Sequence, residues 1–301
     1  MQRHEIHESM DPASSSSSRP HAITSALSLD HPKRRISLKA VYTDVCRIRK
    51  DSVIAKQVDD TFNILVEALE RYGTEALSLS FNGGKDCMVM VHVYMAALYE
   101  YLTSRGKAKA NGLAVVNGTG PLSKVEYPHI VHETVASPPI KTLYVRCLDP
   151  FKEVDDFVEE CAQEYNLDMH KIAEPMKEAL QSFLDHNPSV QAILIGTRRT
   201  DPHAQNQVAF DPTDNGWPNV MRVHPILDWE YVDIWTYLKL LHVDYCRLYD
   251  KGYTSLGGIS NTMPNPALRK QEIPDEYLPA YMLQDASQER NGRRQTKRSH
   301  D

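Results

Sequence analysis

Three observations predict an α/β fold for this 301-residue chain, with a parallel sheet and helices on both of its faces. Short apolar segments at 76–81, 112–117, 141–146 and 191–196 read as strands. Helical patterns lie between them, an alternation that produces parallel sheets buried on both sides. Two strands run into polar turns, 82–86 and 196–201, and such sheets bind ligands beyond the carboxyl ends of their strands.

Residues 1–35 carry a serine run at 14–18 with Pro12, Pro20 and Pro32, so disorder is expected. Helical pattern begins near Ser37. Val53, Val58, Phe62, Leu65, Val66 and Leu69 recur at helical spacing, and Gly73 is expected to close that helix. The first strand follows, then a glycine turn, then the long apolar run 88–98 of a buried helix. After the strand at 112–117 comes a Pro- and Gly-containing loop, 118–139. Residues 151–165 read as an acidic helix with Val154, Phe157, Val158 and Cys161 on one face. Pro175 opens another helix that ends near His186. Residues 202–226 show little regular pattern. Asp228 then reads as the N-cap of a helix with an apolar stripe of Trp229, Val232, Trp235, Leu238 and Leu241. By organisation the chain divides into a disordered segment 1–35, an α/β domain 36–226, a helical and loop extension 227–293 and a basic tail 294–301.

The formal net charge of −6 offers no bulk attraction to nucleic acid or anionic membrane. No apolar run approaches the roughly 20 residues of a membrane-spanning helix. The N-terminus carries Glu5, Glu8 and Asp11, which fits neither a secretory signal nor a transit peptide. Cys46, Cys87, Cys147, Cys161 and Cys246 are scattered, without C-x-x-C spacing, as in a reduced, cytoplasmic protein.

The chemistry concentrates in Ser80-Phe81-Asn82-Gly83-Gly84-Lys85-Asp86-Cys87. A strand, a glycine turn and a helix start aim backbone N–H groups at an anion, and Lys85 adds positive charge. Neither G-x-x-x-x-G-K-[ST] nor G-x-G-x-x-G fits. Read alone, the octapeptide is also compatible with a plain strand-to-helix turn. Gly196-Thr197-Arg198-Arg199-Thr200-Asp201-Pro202 follows another apolar strand and places two arginines and a carboxylate at a sheet end. Taken by itself, that segment reads equally as a solvated charged loop.

The octapeptide resembles the S-G-G-K-D-S pyrophosphate loop of enzymes that split ATP between its α- and β-phosphates. With G-x-R-x-T-D-P, T-D-x-x-W-P (Thr213 to Pro218), L-Y-x-x-G-Y-T-S-L-G (Leu248 to Gly257) and a closing E-R-x-G-R, the chain resembles the FMN adenylyltransferases. These are the FAD synthetases of fungi and other eukaryotes, in the phosphoadenylylsulfate reductase superfamily. The resemblance covers about residues 50–293. It implies a Rossmann-like, adenine nucleotide alpha-hydrolase-like sheet with a flavin-binding extension, and transfer of the adenylyl group of ATP to FMN, giving FAD and pyrophosphate with magnesium.

Carried over residue by residue, the resemblance implies that Ser80, Asn82, Gly83, Gly84, Lys85, Gly196 and Arg198 face the phosphates. The strand end at Val145 holds adenine through its backbone. Asp86 and Asp201 lie near magnesium. Asp201, Asp214, Trp217, Arg222, Arg290 and Arg293 serve the flavin side, and Asn82, Asp86, Asp201, Arg290 and Arg293 serve catalysis. Arg290 and Arg293, at i and i+3, are expected to share a helical face. Trp217 reads equally as a packing residue. Asp201-Pro202-His203-Ala204 departs from the D-P-F-G common in the family. A cytoplasmic monomer is expected, with ATP and FMN as partners and FAD passing on to apo-flavoproteins. The rival readings are a thiol-dependent sulfonucleotide reductase and a non-catalytic nucleotide-binding domain. The first lacks its E-C-G-x-H cysteine, since no cysteine follows Cys246.

Overall fold

The computed structural model describes residues 35–110, 135–271 and 273–294, with backbone alone at 105–110. The strand expected at 112–117, the loop up to residue 134, the first 34 residues and the tail from 295 lie outside the described residues. Ser37 caps helix α1 (Leu38–Lys50) by accepting the Ala40 N–H. Leu38, Val41, Val45 and Ile48 form its buried stripe. Helix α2 (Ala55–Ala76) buries Val58, Phe62, Leu65 and Leu69. At Gly73 the backbone leaves helical geometry (φ 66°, ψ −176°), so the regular helix closes there as expected and residues 74–76 lead on to the next strand. Strand β1 (Leu77–Ser80) leads through the glycine turn into helix α3 (Lys85–Ala110). The apolar run of α3 is buried on every side, as a helix without a polar face requires.

The chain continues through β2 (Ile140–Val145), α4 (Lys152–Glu164), β3 (Leu167–Ile172), α5 (Met176–His186), β4 (Ala192–Leu194), β5 (Phe210–Pro212), β6 (Met221–Val223) and α6 (Tyr231–Leu240). The strand order is β3-β2-β1-β4-β6-β5, parallel except for the β5–β6 pair. Alternate residues along the central strands feed opposite faces. Leu77, Leu79, Ala192 and Leu194 join the large core with α1, α2, α3, α4 and α6. Leu143 and Ile193 point the other way and meet Leu180 and Phe183 of α5. The sheet order turns around between β1 and β4, so the loops that leave these two strands diverge and open a crevice.

Three expectations need correction. Residues 202–226 contain β5 and β6, three-residue strands defined by pairing, β6 with β4 and β5 with β6, and not by their own pattern. Strand β3 went unpredicted because only one face of this edge strand is buried, leaving Asp168 and Lys171 in the run. Helix α6 starts at Tyr231, not after Asp228: Glu230 and Asp233 form a reciprocal capping box. Val232, placed on the buried stripe from sequence, is 65% exposed.

Thr61 anchors the chain beyond β6 to α2. Its hydroxyl donates to the Pro225 carbonyl at 2.8 Å and accepts the Trp229 indole N–H at 2.8 Å, all fully enclosed. Thr61→Val orphans both partners, at about 1–3 kcal/mol for each buried group. A lowered urea midpoint is the expected result, and an unchanged midpoint contradicts this anchoring.

Burial lowers the pKa of His92 to about 4; burial and then Arg222 lower that of His224 to about 4. The ordinary value is 6.5, so the unfolded chain binds protons in this window while the folded chain does not. Stability therefore falls as pH drops from 6.5 towards 4, by up to about 1.4 kcal/mol per pH unit for each histidine. Denaturation midpoints measured at pH 7 and pH 4.5 check this; equal midpoints contradict it.

Candidate functional site

The glycine turn after β1 is held from three sides. Asn82 Oδ1 accepts the Gly84 N–H at 2.9 Å, closing a side-chain turn within the loop. Gly83 has φ +71°, and a Cβ there would lie 2.9 Å from Val158 of α4. Only glycine fits both the conformation and the contact. The Lys85 N–H, first in α3, donates to the Tyr249 hydroxyl at 2.9 Å. Tyr249 lies in the 3-10 turn Arg247–Lys251, so the L-Y-x-x-G segment closes directly onto the loop.

The loop after β4 meets this turn through charge. Lys85 Nζ lies 2.9 Å from Asp86 Oδ2 and 2.6 Å from Glu289 Oε1. Arg198 Nη2 lies 2.6 Å from Glu289 Oε2, and its Nε lies 2.7 Å from Asp86 Oδ1 without hydrogen-bond alignment. Two cations and two carboxylates thus alternate in a closed ring, and both cationic side chains are only 2% exposed. Burial opposes the charge on Lys85 and Arg198, but Asp86 and Glu289 outweigh it and raise both pKa values. For Asp86, burial alone would favour the neutral acid; Lys85 and Arg198 overcome it and hold the carboxyl below its usual range. Lys85, Arg198 and Asp86 are thereby held in their charged forms.

Asp201 adjoins the ring. Its Oδ2 accepts the Arg198 backbone N–H at 3.0 Å, and its Oδ1 lies 3.6 Å from Arg290 Nη1. Asp86 and Asp201 therefore gather at the two ends of Arg198. Gly196 packs against Cys87, whose thiol is pushed up to about 12, first by burial. Ser80 ends β1, and its carbonyl accepts from that thiol. Val145 ends β2, in register with Ile172.

A second cluster sits on the β5–β6 hairpin. Arg222 reaches Asp211 at 3.0 Å and Asp214 at 3.3 Å. Asp214 is largely exposed, and the Trp217 N–H donates to its carbonyl at 3.0 Å. Trp217 itself is 41% exposed, so it does not serve as a core anchor. Arg199 turns away from Arg198 to pair with Asp228 at 2.7 Å. Among the described residues no hydrogen bond or ion pair joins this hairpin cluster to the ring.

Arg290 and Arg293 do not share a helical face, which corrects the i, i+3 expectation. They lie in a tight turn beyond the 3-10 segment Ala286–Gln288, with the Arg293 N–H on the Arg290 carbonyl at 2.9 Å. Arg293 bridges Thr262, and its guanidinium covers Gly257, where a Cβ would overlap it. Burial, followed by the like charge of Arg290, lowers the Arg293 pKa. Sequence reasoning assigned no role to Glu289, Tyr249, Thr254 or Asn265. The last two are wholly buried: the Thr254 hydroxyl donates to the Glu289 carbonyl at 2.6 Å, and the Asn265 amide donates to the Gln288 carbonyl at 2.8 Å. Glu289, Tyr249 and Thr254 stand inside the quoted motifs, which was the available signal; Asn265 stands outside them.

The phosphoadenosine phosphosulfate reductase domain family matches residues 76–187 and 173–264. A probable FAD synthase of Schizosaccharomyces pombe is 42% identical over 260 residues, spanning 86% of this chain and 87% of the relative. This chain belongs to the FAD synthase family. Among solved structures of FAD-synthase type, Candida glabrata FMN adenylyltransferase in complex with ATP matches at TM-score 0.69 and 26% identity, over 87% of this chain and 97% of that one. The same enzyme with FAD and inorganic pyrophosphate matches at TM-score 0.69 and 26% identity, over 85% and 98%.

For an FAD synthase that works without thiol chemistry, the buried Cys87 is dispensable as a nucleophile. Cys87→Ser is expected to keep kcat within about threefold, a small change beside the 10²-fold or larger losses that follow removal of a reacting group. A loss of 100-fold or more in the folded variant would contradict this reading of the thiol.

Proposed function

We propose that the chain transfers the adenylyl group of ATP to FMN, giving FAD and pyrophosphate. The observation that carries this reading is the meeting of three segments at one point: the N-G-G-K-D turn after β1, the G-x-R-x-T-D loop after β4 and the E-R-x-G-R segment. One FMN phosphate oxygen attacks the α-phosphorus of ATP. The bond from that phosphorus to the bridging oxygen of the β-phosphate breaks, and pyrophosphate leaves in line with both electrons of that bond. The attacking oxygen is already anionic, so no side chain has to remove a proton. Catalysis then reduces to positioning and charge neutralisation.

In this reading Ser80, Asn82, Gly83 and Gly84 shape the phosphate cradle, with the α3 N-terminus behind it. Lys85 and Arg198 neutralise the departing pyrophosphate. The backbone at Val145 receives adenine, and Gly196 brings the second loop close. Arg290 and Arg293 draw in the FMN phosphate. Asp214 and Trp217 receive the ring system, while Arg222, tied to Asp211 and Asp214, fixes the hairpin that carries them. Residues 36–226 would then serve the nucleotide and begin the flavin side, which 227–293 would complete.

The donor set suits magnesium, which takes one or two carboxylates and completes its shell with water and phosphate oxygens. Asp86 and Asp201 are hard-oxygen donors that meet Arg198 at its guanidinium and at its backbone N–H respectively, and Asp86 Oδ1 is enclosed without an aligned hydrogen bond. These two residues would hold the ion, which supplies further positive charge to the phosphates when bound. No described helix is long and apolar enough to cross a membrane. Action in a reducing, cytoplasmic setting is supported by the five cysteines, which form no disulfide; a monomer that passes FAD to apo-flavoproteins stays part of this proposal.

The purified chain given ATP, magnesium and FMN is expected to form FAD, read by chromatography. Absence of FAD when both substrates bind would refute the activity. Asp201→Asn keeps an acceptor for the Arg198 N–H and removes the charge. A fall in kcat of roughly 10²-fold with an unchanged melting temperature is expected, the scale seen when one transition-state contact is lost. Full activity in that variant removes Asp201 from the reaction.

A further inference from the structure

Glu289 presents a difficulty for the phosphate cradle, and the difficulty is informative. Lys85 and Arg198 are the two cations the loops offer to phosphate. Both are nearly inaccessible, and both are already engaged by the Glu289 carboxylate at 2.6–2.7 Å. Asp86 takes their remaining sides, so the ring carries no net charge. Surface cavities of about 260 and 270 Å³ are lined elsewhere, one by Glu153, Asp156 and Tyr245, the other by Arg199, His224 and Trp229. A carboxylate, whose two oxygens match one edge of a phosphoryl group, occupies the place between the cations.

The backbone around Glu289 is pinned separately from its side chain. Thr254 donates to the Glu289 carbonyl, and Asn265 binds both Thr254 and the Gln288 carbonyl. Among the described residues, the Glu289 carboxylate is bonded by Lys85 and Arg198 alone. The carboxylate can therefore leave by side-chain rotation, without moving Arg290 next to it. Its departure leaves the cradle a net charge of +1 from Lys85, Arg198 and Asp86, which a phosphate can then take up. Leaving two buried cations with Asp86 alone and no ligand is unfavourable, so departure and phosphate arrival go together.

We propose that Glu289 is a positioning residue that stands in for phosphate: it holds Lys85 and Arg198 apart and oriented in the empty cradle and yields them when pyrophosphate or the ATP triphosphate binds. The inference rests on the reading of this cradle as the phosphate site. Binding is then an exchange of one anion for another, in which Glu289 competes with the ligand. The return of the carboxylate also assists release of pyrophosphate after transfer.

The probe is inorganic pyrophosphate with magnesium, titrated calorimetrically into the full chain without FMN. Glu289→Gln keeps the shape and removes the competing charge. Binding about fivefold tighter or more than in the unchanged chain is expected, within the usual range of site coupling. A lower kcat for FAD formation with a lower KM for ATP should accompany it. A residue that merely braced the fold would give the reverse, weaker binding and a raised KM. Pyrophosphate binding that is equal or weaker in the folded variant overturns the proposal. Should Glu289→Gln not fold, Glu289→Asp, which keeps the charge and is one methylene too short to span both cations, is expected to bind pyrophosphate tighter by the same test. A structure of the unchanged chain with magnesium pyrophosphate reads the exchange with no variant. Glu289 more than 4 Å from Lys85 Nζ supports it, and a carboxylate still bridging Lys85 and Arg198 beside bound pyrophosphate overturns it. Loss of FAD synthesis alone would refute the activity and leave these binding outcomes readable.

Discussion

The buried ring of Lys85, Asp86, Arg198 and Glu289 ties together segments 200 residues apart in the chain. Each member would be costly to bury alone, and each faces two groups of opposite sign, which is the condition for keeping charge inside a protein. The ring needs the loop after β1, the loop after β4 and the C-terminal segment in place at once. The order of the sheet, with β1 beside β4, brings the first two together. The buried contacts of Thr254 and Asn265 bring in the third. The chemistry depends on this assembly more than on any single reactive side chain.

That dependence suits adenylyl transfer to a phosphate. The nucleophile arrives ionised and the leaving group is a stabilised anion, so the protein's task is to hold charges in line. The cations of the ring and the Arg290–Arg293 turn lie on either side of Asp201, whose two oxygens face Arg198 and Arg290. In the proposed reaction Lys85 and Arg198 would take donor-phosphate charge and Arg290 and Arg293 acceptor-phosphate charge, with Asp201 joining the Arg198 backbone to the Arg290 guanidinium. Tyr231 and Tyr249 place their rings 5.3 and 5.9 Å from Lys85 Nζ. They line the ring with aromatic surface and limit water there, which strengthens each electrostatic contact.

What the sequence disclosed follows from the range of the interactions involved. The glycine turn was legible because Asn82, Gly83, Gly84 and Lys85 act through local backbone geometry. The strands β1, β2 and β4 were legible because each is buried on both faces and reads as an apolar run. Strands β5 and β6 were not, since three residues carry no period and the pairing of β6 with β4 and of β5 with β6 exists only in the folded chain. The helix expected for Arg290 and Arg293 failed because spacing alone does not specify a helix; Gly292 and the bridge to Thr262 hold a turn instead. Glu289 was invisible as a partner of Lys85 because 204 residues separate them, and only the folded chain sets them 2.6 Å apart.

The central claim is that the ring and its neighbours position two phosphates for one direct displacement, with no residue of the chain bonded to the adenylyl group. ATP made chiral at its α-phosphorus by sulfur substitution tests this most directly. Inversion of configuration in the thio-FAD product is the result of a single in-line attack by FMN. Retention would mean two displacements through an adenylylated residue, and would contradict the account.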